Sequence, residues 1–106
     1  MILGISTLTI NGNEKLNKEI KDLICKRLNN DWKDFCRRVL PDHEVEMIDR
    51  DNDTIYEKSY AVFTKWERTS SDAINVAMVK TQLRALRRND IILDVFKGMV
   101  VLHQVH

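Results

Sequence analysis

Apolar residues recur along this chain at intervals of three and four, the spacing that lines one face of an α-helix. Leu16, Ile20, Leu23, Ile24 and Leu28 make the first such stripe and predict a helix over 13–28. Asn29, Asn30 and Asp31 interrupt it and offer side-chain oxygens to cap the next helix. Trp32, Phe35, Cys36, Val39 and Leu40 form a second stripe, closed by Pro41, whose ring and missing N–H end a helix. Pro41-Asp42 opens a short acidic third helix with Val45 and Ile48 inward, which gives way to the loop-favouring run 49–53. Thr54 with Glu57 three residues later is a capping box, and Ile55, Ser59, Val62, Phe63 and Trp66 are the inward face of a fourth helix ending near Arg68. Thr69, Ser70, Ser71 and Asp72 predict a break and the cap of a fifth helix. Its inward face is Val76, Val79, Leu83 and Leu86, with Ala73, Ala77 and Ala85 expected at close helix contacts. Asn89-Asp90 starts a sixth, carrying Ile92, Val95, Phe96 and Met99, with Gly98 as the expected C-terminal stop.

Six narrow stripes joined by short connections must share one core, since no such helix is stable alone in water. The expected class is therefore all-α, one domain over residues 13–99 of the 106. Residues 1–12 are expected to be a flexible or extended arm, and residues 100–106, which lack a helical period, a C-terminal tail.

Composition narrows this further. A hydrophobic share of 43% against 31% charged residues is too apolar for a disordered chain and too interrupted by charge for a membrane span. Three glycines and one proline are too few for the tight turns of an all-β domain. Seventeen Lys and Arg against 16 Asp and Glu leave a formal +1, so no net field recruits nucleic acid or an anionic membrane. Two cysteines and no secretory start imply a reducing setting, the cytoplasm or the nucleus, of which the cytoplasm is the expectation.

Candidate chemistry is thin. Cys25, Cys36 and His43 lack the paired spacing of a zinc site, and both cysteines sit on apolar stripes as small hydrophobes. His103 and His106 are spaced as half a metal pair without acidic or cysteine partners near them. The glycines, at 4, 12 and 98, form no phosphate loop, and no carboxylate pair sits on an apolar wall. No catalytic residue, metal or cofactor is expected.

Charge, by contrast, is segregated. From Asp42 to Asp53 stand six acids, Asp42, Glu44, Glu46, Asp49, Asp51 and Asp53, against the single Arg50. The fifth helix and its end carry Lys80, Arg84, Arg87 and Arg88 with no acid between them, and Arg37-Arg38 closes the second helix. Opposite patches on one small molecule can satisfy a neighbouring copy or a related domain in a head-to-tail contact. The competing use of the basic ridge is nucleic acid, weakened by the acidic third helix and the near-zero net charge.

The stretches 31–40, opening on Trp32, and 61–66, closing on Trp66, resemble the death domain pattern, in which two such tryptophans recur in the core. Residues 75–87 and 89–95 resemble that family's last two helices, most closely those of its apoptotic and innate-immune adaptors; the likeness covers about residues 16–99. It implies a six-helix antiparallel Greek-key bundle without enzymatic activity, which assembles signalling complexes by binding other death domains of receptors, adaptors or kinases, or its own copies in a helical oligomer. Carried over by position, the implied partner-binding residues are Arg37, Arg38, Asp42, Glu44 and Glu46 on one side, and Lys65, Arg68, Arg87, Arg88 and Asp90 on others.

Overall fold

The computed structural model of the chain describes the backbone of residues 14–104 and the side chains of residues 14–96. Among the described residues six α-helices follow one another: α1 (Lys18–Leu28), α2 (Trp32–Val39), α3 (His43–Asp51), α4 (Ile55–Thr69), α5 (Val76–Ala85) and α6 (Asn89–Gln104). A 3-10 turn, Asn29–Asp31, joins α1 to α2. α1 lies against α4 and α6, α2 against α3, α4 and α5, and α5 against α6. The fold is an all-α bundle whose neighbours in space are mostly not neighbours in sequence.

The stripes meet in one core. Phe35, Phe63 and Trp66 stack at its centre, with ring centroids 5.1 Å apart for Phe35–Phe63 and 5.9 Å, edge on, for Phe35–Trp66. Trp32 is buried as well, and Lys33 and Lys58 each place an ammonium 5.9 Å from its ring. Ile20, Ile24 and Leu28 from α1, Val76, Val79 and Leu83 from α5, and Val95 and Phe96 from α6 complete the core. Ser59 faces inward as its stripe predicts, and its hydroxyl finds no partner among the described residues.

The capping box of α4 is present in both halves: the Thr54 hydroxyl accepts from the Glu57 N–H at 3.1 Å and the Glu57 carboxylate from the Thr54 N–H at 3.0 Å. Other boundaries differ from those expected. α1 starts at Lys18 because the Asn17 side chain caps the Ile20 N–H and the residues before it are extended. There the Val76 N–H donates to the Glu14 carbonyl at 2.9 Å and the Leu16 N–H to the Ile74 carbonyl at 3.2 Å. That pairing also moves the cap of α5 from the expected residues 69–72 to Asn75, whose side chain accepts from the Met78 N–H. Asp31 makes no side-chain cap; its carboxylate is turned to Arg88.

Ala73, Ala77 and Ala85 are exposed and make none of the expected close helix contacts. Ile55, the first residue of α4, sits at the rim of the bundle with 38% of its surface exposed. Ile91, absent from the expected face of α6, is fully buried, while Ile92 is half-buried. α6 continues through Gly98 to Gln104, so Gly98 is not its stop; with no Cβ glycine only weakens a helix interior. The expected arm at 1–12 lies outside the described residues, as do His106 and the side chains of Met99 and His103.

Candidate interaction surface

Arg37 and Arg38 end α2, where the helix dipole favours cations, and both are exposed. Arg37 reaches the Asp34 carboxylate one turn back at 3.1 Å, an exposed pair worth little in water. The Arg38 Nε donates to the Gln82 side-chain oxygen at 2.7 Å, fastening the end of α2 to α5. Past Pro41 the sign changes within four residues. Asp42 and Glu46 are exposed at the start of α3 and have no ion-pair partner among the described residues.

Much of the remaining acid in and beside α3 is neutralised inside the molecule. Glu44 pairs with Lys65 of α4 at 2.6 Å, both partners being more than two-thirds buried. Asp49 accepts from Lys58, with Lys33 at 3.9 Å, and these hold its carboxyl below the usual range. The acidic surface that reaches solvent is thus narrower than the sequence suggests: Asp42 and Glu46 at the start of α3, and Asp51 and Asp53 at and just past its end.

The basic ridge is thinned in the same way. The Arg88 guanidinium forms a two-bond fork with Asp90, 3.0 Å on each arm, and also donates to Asp31 at 2.7 Å and to the Arg27 carbonyl at 3.0 Å. These contacts push its pKa up and hold Asp90 below the usual carboxylate range. Lys80 places its ammonium 4.9 Å from the Phe96 ring. Arg84 and Arg87 remain exposed.

Arg68, exposed at the end of α4, lines an open hollow of about 300 Å³ with Asn52, Glu57, Tyr60 and Lys65. The residues carried over from the resemblance therefore fall into two kinds. Arg37, Arg38, Asp42, Glu46, Arg68, Arg87 and Asp90 are exposed, whereas Glu44, Lys65 and Arg88 are committed largely to internal pairs. Sequence reasoning missed Tyr56, whose hydroxyl donates to Asp22 of α1 and whose ring stands exposed next to Ile55. Asp22 is held below its usual pKa by that hydroxyl and by Lys26, and the Tyr56 phenol is pushed up to about 12 by Asp22. Two aromatic or aliphatic side chains at a helix start, flanked by acids, were the signal.

Among the described residues no group of three or more His, Cys, Asp or Glu side chains could hold a metal ion. Burial raises the Cys25 thiol to about 12 and the Cys36 thiol to about 11, so both are neutral at physiological pH. No helix of the described residues is long and apolar enough to cross a membrane.

A sequence model of the Death domain family matches residues 17–99. The chain belongs to the death domain family. No curated protein and no solved structure matches it. The death domain match spans all but the last residues of α6 and takes in the exposed charges of α2, α3 and the α5–α6 turn. As a death domain the chain is a protein-interaction module, and its partners are other domains of the death fold.

Proposed function

We propose that this death domain is a non-enzymatic cytoplasmic adaptor module that assembles apoptotic or innate-immune signalling complexes through complementary charged surfaces. The observation that carries the reading is the junction of α2 and α3, where Arg37 and Arg38 stand exposed beside the exposed Asp42 and Glu46. Patches of opposite sign, each free to meet solvent, suit contact with a second domain that offers the complementary charges. The resemblance of the stretches 75–87 and 89–95 to the last two helices of the family's adaptors, read from the sequence, supports the adaptor reading. Arg68, Arg87 and Asp90 serve further contacts of the same kind, and Glu44, Lys65 and Arg88 hold the surfaces in place beneath them.

Each exposed charge pair contributes about 0.2–1 kcal/mol, so affinity comes from several acting together and falls with salt. Reversing Arg37 and Arg38 to Glu abolishes capture of a partner death domain while leaving the helical circular dichroism unchanged. Undiminished capture by the folded, reversed domain would remove this face from the interaction.

A further inference from the structure

Residues 53–57, from Asp53 through Thr54, Ile55 and Tyr56 to Glu57, form the longest uninterrupted exposed run among the described residues. Tyr56 borders two open hollows. One, of about 450 Å³, has Cys25 and Ile55 in its walls, and the other, of about 680 Å³, has Asn17 and Lys18. The chain's other tyrosine, Tyr60, is half-buried, with its ring 6.1 Å from that of Tyr56 and the Lys21 ammonium 5.6 Å from its centre.

The backbone leading to Tyr56 is extended at Asn52, with φ −130° and ψ 143°, and at Thr54, with φ −107° and ψ 156°. Ile55 and Tyr56 are the first two residues of α4, where a helix has no carbonyl of its own for the N–H groups. The Thr54–Glu57 cap and the bond from the Tyr56 hydroxyl to Asp22 hold this first turn in place. Asp51 and Asp53 before the tyrosine and Glu57 after it are exposed, and no cation stands in the sequence between Arg50 and Lys58. A tyrosine that becomes part of an extended segment when one helical turn opens, with acids on both sides, suits a kinase whose peptide cleft is basic.

We propose that Tyr56 is a phosphorylation site for a protein tyrosine kinase with a basic peptide cleft, and that the phosphate unties the start of α4 from α1. The inference is independent of the partner-binding reading. The Tyr56 Oη forms a bond to the γ-phosphorus of ATP as the bond from that phosphorus to the β–γ bridging oxygen breaks. ADP leaves with the electron pair, and the phenol proton passes to the kinase's catalytic carboxylate. The ester has no hydrogen to donate and carries about −1.5 to −2 charges at neutral pH, so repulsion replaces the bond to Asp22. Lys26, paired with Asp22 at 3.1 Å, balances one unit of that charge. A helix start favours an anion, so α4 persists and its tie to α1 is what is lost.

The test is incubation of the folded domain with MgATP and a recombinant tyrosine kinase domain that labels a synthetic peptide of residues 49–58, followed by peptide mass spectrometry. One phosphate per chain is expected, on Tyr56, absent from Tyr56→Phe and retained in Tyr60→Phe. A chain carrying Asp51→Lys and Asp53→Lys, which leaves the capping box intact, is labelled about tenfold more slowly. The phosphorylated domain keeps its helical circular dichroism and melts about 4 °C lower, and in Asp22→Ala, where the tie is already gone, phosphorylation shifts melting by less than half as much. A folded domain that takes no phosphate, a phosphate on Tyr60, or a rate indifferent to the two lysines would overturn the site. An equal melting shift in wild type and Asp22→Ala would overturn the untying.

Discussion

Arg88 shows how a residue that looks like surface charge becomes part of the frame. Its five hydrogen-bonding contacts span two carbonyls at the end of α1, Asp31 in the 3-10 turn and Asp90 at the start of α6. Replacing it by Ala leaves those acceptors without a donor, and the expected loss is about 1–3 kcal/mol in chemical denaturation, the usual worth of charge-assisted bonds. The same pairing sets an acid dependence. Asp90 has its folded pKa depressed below the ordinary 3.8 by Arg88, so its contribution is present above that value and lost as pH falls through the depressed one. Arg88→Ala therefore flattens the decline of melting temperature below about pH 4, measured on both chains. Trp66, packed edge on against Phe35, carries the opposite kind of stability. Trp66→Ala should destabilise the bundle by about 3–5 kcal/mol; a change under about 1 kcal/mol would mean the ring is not part of the core.

At the scale of the element, the capping box at Thr54 decides where α4 begins. Glu57 is held below its usual pKa by the Thr54 N–H it accepts from, and Thr54→Ala is expected to lower stability by about 1 kcal/mol in equilibrium unfolding. That box was readable because it needs only residues three apart. So were the stripes of α2, α4 and α5, whose apolar spacing is local. What the sequence did not disclose depends on residues far apart in the chain. The start of α1 and the cap of α5 are set together by the pairing of residues 14–16 with residues 74–76, which no local pattern announces. Ile91 is buried because of how α6 lies on α1 and α5, whereas Ala77 and Ala85, small enough for a close contact, are exposed.

At the scale of the whole molecule, folding redistributes the charge the sequence displays. The acidic run and the basic ridge were legible as segregated patches, but their exposed remainder was not. Lys65 and Lys58 reach Glu44 and Asp49 from α4, and Arg88 reaches Asp31 across 57 positions. The exposed charges at the junction of α2 and α3, Arg37 and Arg38 with Asp42 and Glu46, are what the interaction reading rests on. Its most direct test is affinity capture from nuclease-treated cytosolic extract, comparing wild type with the Arg37→Glu, Arg38→Glu chain and identifying the recovered proteins by mass spectrometry. The account predicts death-domain receptors, adaptors or kinases on the wild-type domain and their loss from the reversed one. Recovery of no death-domain protein by the folded wild type, or of material that nuclease removes, would contradict it.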